Sequence, residues 1–166
     1  MIKEEIKIRD ARETDLPDLG QIYAEAFNNA DVGESWNPKH ALELLTCLHN
    51  HKPNIFLVAE INGKIVGGFL GVIKPFFGSN DLCDTELFVS PKHQNLGIGR
   101  KLFKEIINKA VSKYDVKYIQ GIADSEKEFP IKWYKKLGFK SSRWVHIYGK
   151  VEEILKNFNK EQYVGY

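Results

Sequence analysis

The chain is poor in the features that mark a specialised setting. Its 166 residues include only two cysteines, Cys47 and Cys83, far apart and without a partner at metal spacing. Unpaired thiols suit a reducing compartment. Cys47, His49 and His51 crowd together, but on a helix His49 and His51 point to nearly opposite sides, and only Cys47 and His51 share a face. Residues of this kind near a helix C-terminus are expected to serve the cap, so no metal is predicted. No apolar run approaches the roughly 18 residues of a membrane span. Neither sign of charge dominates, with 24 Lys and Arg against 22 Asp and Glu, and no basic cluster interleaves with aromatics, which argues against a nucleic-acid surface. Met1-Ile2-Lys3-Glu4-Glu5 carries charge where a signal peptide would be apolar, so a cytoplasmic protein is expected. Repeats, linkers and low-complexity stretches are missing too. What is present is ordinary globular composition, 43% hydrophobic and 28% charged. The length predicts one domain, residues 1–166, with a proper core.

Periodicity divides the chain into alternating elements. Residues 6–9 alternate like a short edge strand. Thr14 or Asp15 can cap a helix with Pro17 in its first turn, and Leu16, Leu19, Ile22, Tyr23, Ala26 and Phe27 give it a buried face. Residues 28–37 read as a loop and 38–50 as a second helix. A strand over 55–60, the Asn62-Gly63 turn and a returning strand over 64–74 form a hairpin. Gly67, Gly68 and Gly71 imply a closely approached backbone in the returning strand. After a turn at 77–80 come a strand over 81–89, a helix over 99–114, a strand over 116–122, a helix over 130–137, strands between 139 and 150, and a helix over 151–159. The pattern predicts an α/β (α+β) fold: a mixed, mostly antiparallel sheet of about six or seven strands, helices on both faces, and one βαβ crossover.

The crossover carries the most informative segment, Gln94-Asn95-Leu96-Gly97-Ile98-Gly99-Arg100. A strand, a glycine-punctuated turn and a helix N-terminus make an anion site, because first-turn N–H groups lack intrahelical acceptors and face the positive end of the macrodipole. Two glycines allow close approach of a phosphate, and Arg100 and Lys101 add cationic donors. A pyrophosphate is the expected ligand. A dinucleotide fingerprint would need a third glycine where Leu102 stands, and an acidic ribose anchor about 20 residues on, for which Asp124 is only a loose candidate. A mononucleotide loop would need Gly-Lys-Ser/Thr, which does not occur.

Asp84-Thr85-Glu86-Leu87-Phe88-Val89-Ser90-Pro91, then Gln94-x-x-Gly97-x-Gly99-Arg100-x-Leu102, then Trp133-Tyr134-x-x-Leu137-Gly138-Phe139 closely resembles the GNAT superfamily of acyl-CoA-dependent N-acyltransferases. The matched stretch runs from about residue 55 to 139. The resemblance implies that acetyl-CoA is the co-substrate and that the turn cradles its pyrophosphate. It also places Tyr134 beside the sulfur, as general acid for the leaving thiolate. Lys127 stands where the family often has an asparagine, seven residues before this tyrosine.

Transfer of an acetyl group to an amine requires that the ammonium lose a proton, the carbonyl be polarised and the thiolate be protonated. Strict strand alternation would put Asp84, Glu86 and Phe88 on one face and Cys83, Thr85, Leu87 and Val89 on the other. Asp84 and Glu86 are then carboxylates roughly 6.5–7 Å apart, one to take a proton directly or through water and one to hold the ammonium. Glu86 is the expected base and Asp84 a substrate ligand. The backbone of Phe88 and Val89 is suited to the pantetheine arm, which can pair with a strand edge. Glu34 and Trp36 offer an acceptor a carboxylate and a flat apolar plate, or equally a staple at the entry to the second helix. His93 is expected to be a solvated loop residue.

The expected function is N-acetylation of a primary amine by direct attack in a ternary complex, without a cysteine nucleophile or metal. The loop 33–38 and strand 86–89 look like members acting on polyamine- or aminoglycoside-like small molecules. A protein lysine or N-terminal acceptor, and a non-catalytic acyl-CoA sensor, are the alternatives. No nucleic acid or membrane partner is expected, and a homodimer stays open.

Overall fold

The computed structural model describes residues 5–31 and 33–160. Residues 1–4, most of the charged start, and Val32, within the expected loop 28–37, lie outside that range. The described chain forms two compact units, the first reaching Asp124 and the second beginning at Ser125.

The first unit holds a five-stranded sheet in sequential order: β1 (Ile6–Asp10), β2 (Asn54–Ile61), β3 (Lys64–Phe76), β4 (Ser79–Val89) and β5 (Val116–Ile119). The first four strands pair antiparallel and β5 pairs parallel with β4. That parallel pair closes a βαβ crossover through a long helix, α3 (Ile98–Tyr114). Asn62 and Gly63, both at positive φ, turn β2 into β3. The β3–β4 turn is equally tight, with Phe77 and Gly78 at positive φ, so β4 begins at Ser79, earlier than the turn signal suggests.

Two helices, α1 (Leu16–Ala30) and α2 (Pro38–Asn50), cover one face of the sheet. Leu16, Leu19, Ile22 and Tyr23 of α1 join Ala41 and Leu45 of α2 in a core with Phe56, Val58, Leu70 and Phe88. Strand alternation sends Phe69 to the other face, where its ring meets Phe103 of α3 at 5.3 Å. Helices therefore lie on both faces. Helix α1 runs three residues into the expected loop, because Asn28, Asn29 and Ala30 continue the turn until Asp31 stops it in the left-handed region.

Alternation fails at one place on β4. Leu70 pairs with Glu86 and Val72 with Cys83, so Gly71 alone faces both Asp84 and Thr85. This is a β-bulge, and Asp84 takes φ 47° to make it. Gly71 is needed here, since a Cβ would lie 2.5 Å from the Leu82 side chain.

The second unit contains α4 (Glu128–Lys136), whose regular turns start at Pro130 after extended Phe129, and α5 (Val151–Lys160). Residues 139–150, expected as strands, carry neither helix nor strand. The sheet therefore has five strands and not six or seven. The alternation in that segment supplies no pairing partner of its own, and an isolated two-stranded hairpin is marginal. Likewise β5 stops at Ile119, short of residue 122. No described helix is long and apolar enough to cross a membrane.

Candidate active site

The α1 face of β4 gathers several of the expected residues around one unexpected one. Tyr23, buried in the core at 2% exposure, donates its hydroxyl to Glu86 Oε2 at 3.1 Å. Its ring lies 5.1 Å edge-on from Trp36, 5.1 Å from Phe88 and 4.3 Å from Phe27. Trp36 is held from two sides. Its backbone N–H donates to the Asn28 side-chain carbonyl, and its carbonyl accepts from the Asn28 amide, each at 2.8 Å. Its indole N–H donates to Glu34 Oε2 at 2.6 Å. Glu34, Trp36 and Glu86 thus surround one aromatic cluster although 50 residues separate the loop from β4.

Burial pushes the Glu86 carboxyl up to about 7. The Tyr23 hydrogen bond works against that rise, while the negative charges of Glu34 and Asp84 add to it. The Tyr23 phenol is itself driven far above its ordinary value by burial and by Glu86, so it stays a donor. A carboxylate that titrates near neutrality can take a proton and release it again.

Asp84 is not Glu86's companion. The bulge breaks the alternation that would have set the two carboxylates side by side, and Asp84 forms an ion pair with Lys74 Nζ at 2.5 Å. The same bulge reverses the expectation for Cys83. Its pairing with Val72 places it on the face of Leu70 and Glu86. Cys83 is buried, and burial raises its thiol above the ordinary value, so it is no ready nucleophile.

Past the bulge, β4 loses its parallel neighbour. The last contacts are made by Gln120, just beyond β5. Its N–H donates to the Leu82 carbonyl at 2.8 Å, its side chain to Asp81 at 2.6 Å, and its carbonyl accepts from the Thr85 hydroxyl at 2.9 Å. From there to Val89, β4 continues without a strand neighbour on the β5 side among the described residues.

That edge runs into the glycine turn. Ser90-Pro91-Lys92-His93 makes a single tight turn, and Gln94 Nε2 donates back to the Val89 carbonyl at 3.1 Å. Asn95 and Gly97 both adopt positive φ, and Gly97 is the N-cap of α3, with no side chain capping the helix. The first intrahelical bond is Lys101 N–H to Gly97 at 3.1 Å, leaving the N–H groups of Ile98, Gly99 and Arg100 ahead of it. A Cβ on Gly97 or Gly99 would meet nothing within 4 Å, so the space before the helix is open. Ile98 anchors the turn through a fully buried side chain, whereas Leu96, Arg100 and Lys101 are exposed. Arg100, Lys101 and Lys104, with one acidic neighbour, Glu5, line a depression of about 580 Å³ beside Gly97. The arrangement can bind a polyanion.

A model of the acetyltransferase (GNAT) domain matches residues 52–141, more than half the chain. The chain belongs to the GNAT acetyltransferase family. An uncharacterized N-acetyltransferase of Methanocaldococcus jannaschii is 28% identical to this GNAT chain over 142 residues, 83% of the chain and 62% of the relative. The chain spans about three fifths of the length of the curated relatives it matches. A possible acetyltransferase from Clostridium difficile 630 shares the fold at TM-score 0.75 and 17% identity, over 89% of this chain and 99% of that one. A predicted acetyltransferase with acetyl-CoA from Clostridium acetobutylicum does so at TM-score 0.67 and 17% identity, over 87% and 96%.

Tyr134 lies on α4 in the second unit, half-buried, its ring 5.1 Å from Trp133 and 5.1 Å from Phe139. The Phe139 N–H donates to its carbonyl at 3.1 Å, which ties the tyrosine to the Gly138-Phe139 end of the motif. Sequence reasoning saw Tyr23 only as a core residue. The available signal was its phenol, since a buried tyrosine normally finds a partner for its hydroxyl.

Proposed function

We propose that this chain is a cytoplasmic, acetyl-CoA-dependent N-acetyltransferase whose acceptor is a small cationic amine of the polyamine or aminoglycoside kind, acetylated by direct attack in a ternary complex. The observation that carries the reading is the gathering of a half-buried carboxylate, Glu86, on the strand that leads into the glycine turn, and an exposed one, Glu34, from the loop before α2, around Tyr23 and Trp36.

The residues present suit coenzyme A. Open space before α3, uncapped N–H groups and three neighbouring cations fit a pyrophosphate, and the free stretch of β4 fits an amide-bearing arm. Gln94, Asn95, Leu96, Gly97, Ile98, Gly99, Arg100 and Lys101 would hold the phosphates, with Phe88 and Val89 beside the arm. Acetyl-CoA supplies the activated thioester. Glu86 takes the ammonium proton, a role suited to a carboxyl near 7. Glu34 and the Trp36 face hold a second cationic group of the acceptor. Asp84, bound to Lys74, adds negative field and does not grip the amine directly. Tyr134, by the motif, keeps a proton ready for the leaving group.

Thiol release from acetyl-CoA tests the reading with the full chain and four acceptors: spermidine, an aminoglycoside, a lysine peptide and a free N-terminal peptide. Turnover is expected with the first two. Turnover with peptides alone would overturn the acceptor class, and acetyl-CoA binding without turnover on any amine would make the chain a sensor.

A further inference from the structure

Most of the polar groups of the acceptor cluster belong to the loop or to β4. Tyr23 belongs to neither. It sits on α1, 63 residues from Glu86, in a core otherwise apolar. Its three ring neighbours, Phe27, Trp36 and Phe88, fix the ring, and the ring fixes the hydroxyl. A buried phenol whose polar contact among the described residues is a carboxylate oxygen is a directed donor.

We propose that Tyr23 is a positioning residue for the acetyl transfer: its hydroxyl holds Glu86 Oε2 and leaves Oε1 to receive the ammonium proton. The inference rests on the function proposed above. Two groups reach Glu86 from other elements, the neutral Tyr23 hydroxyl from α1 and the negative Glu34 from the loop before α2, while Asp84 on β4, paired with Lys74 on β3, adds negative field. Burial and the two carboxylates favour the protonated acid, and only the tyrosine hydrogen bond favours the ionised form. Loss of that bond moves the carboxyl further toward the protonated acid. The step balances: Glu86 gains the proton that the ammonium loses and returns it to water before the next cycle, the nitrogen bonds to the carbonyl carbon as the carbon–sulfur bond breaks, and the second proton that nitrogen gives up offsets the one the leaving thiolate takes.

Two readouts separate this inference from the proposed function. The first is the carboxyl 13C titration of Glu86 in full-length chain labelled at glutamate, with the signal assigned by its loss in Glu86→Gln. The second is the pH dependence of kcat/KM with spermidine. Tyr23→Phe keeps the ring, and it is expected to raise the Glu86 midpoint by about one pH unit, the effect of losing a hydrogen bond to a charged group. The acid limb of the rate profile should move by the same amount, lowering kcat/KM about tenfold below the limb and little at alkaline pH. Phe69→Leu, buried on the other face of the sheet against Phe103, is the packing control, expected to lower the melting temperature without moving the titration. An unmoved Glu86 midpoint in Tyr23→Phe overturns the inference even if the enzyme is active. A raised midpoint with an unmoved rate limb also overturns it, because the carboxylate is then not the base. If no amine is acetylated, the function proposed above fails, and the inference fails with it even where the 13C midpoint rises, since a raised midpoint without turnover shows only a structural hydrogen bond.

Discussion

Trp36 Nε1 donates to Glu34 Oε2 across 2.6 Å, and this bond aims an exposed carboxylate that would otherwise sample many rotamers. Asn28 holds the Trp36 backbone at both its N–H and its carbonyl, and the indole packs in a T-shaped contact with the Tyr23 ring. A carboxylate so prepared favours an acceptor with a second positive charge. Glu34→Gln should raise KM for spermidine by about tenfold, as for loss of one charge-assisted contact, with kcat nearly unchanged because that binding is equal in ground and transition states. A simple monoamine should be indifferent to the change. Steady-state kinetics with both acceptors check it, and equal losses for the two would remove Glu34 from acceptor binding.

The glycine turn makes a prediction in which fold and binding come apart. Gly97 holds φ 80°, a conformation that valine adopts only under strain, so Gly97→Val should lower both the melting temperature and acetyl-CoA affinity. Gly99 has no such φ, and its Cβ would meet open space. Gly99→Val should therefore melt close to the parent while still blocking phosphate approach. Arg100→Ala should weaken binding less than either, since the backbone donors and Lys101 remain. Calorimetric titration with acetyl-CoA, beside thermal melts, separates the three. Full affinity in both glycine variants would remove the pyrophosphate assignment.

Why the turn was legible while the carboxylates were misplaced is a matter of range. The N-terminal signal of α3, the Asn62-Gly63 turn and the ends of α2 are local, written within a few residues by backbone freedom and capping. The bulge at Asp84 depends on a residue of another strand, Gly71, which admits Leu82 and lets two residues face one. Period-two reasoning cannot anticipate that slip, and everything on one side of it changes face. Tyr23 was hidden for a similar reason. Helical periodicity placed it correctly in the core, but its hydroxyl partner lies 63 residues away. Segment 139–150 shows the same limit from the other side, since alternation suggests a strand without providing a neighbour for it.

Glu86→Gln should cut turnover by about 10²–10⁴-fold, the usual range for a general base, with acetyl-CoA affinity little changed. Its effect on stability has a definite sign. A carboxyl raised from 4.5 to about 7 in the fold resists ionisation there, so the wild type is penalised as pH climbs from 4.5 through 7 and no further above that. The glutamine variant escapes the penalty. It should melt higher than the wild type above pH 7, by at most about 3 kcal/mol in stability, and converge with it near pH 4. Denaturant melts at both pH values measure this. A variant less stable at pH 8 would mean that the Tyr23 contact outweighs the burial of the charge.

Tyr134→Phe tests the remaining role assigned through the motif. The substitution removes one hydroxyl and keeps the ring beside Trp133 and Phe139, so the α4 turn and its bond from Phe139 N–H should persist. If the phenol supplies the leaving-group proton, the chemical step slows by about 10²-fold or more, while acetyl-CoA affinity and melting temperature stay near the parent values. A structural tyrosine would give the reverse: a lower melting temperature and normal turnover in the folded fraction. Steady-state kcat can mask a slowed chemical step when product release is limiting. The decisive measurement is therefore a single-turnover rate at saturating spermidine and enzyme in excess over acetyl-CoA. A phenol with an ordinary pKa near 10 is a weaker acid than a thiol, so the loss should be greatest where the thiolate departs least readily. Thioesters with progressively more acidic thiol leaving groups should accordingly react at more nearly equal rates in the two proteins. A deficit that does not shrink along that series would leave the hydroxyl without a part in leaving-group departure.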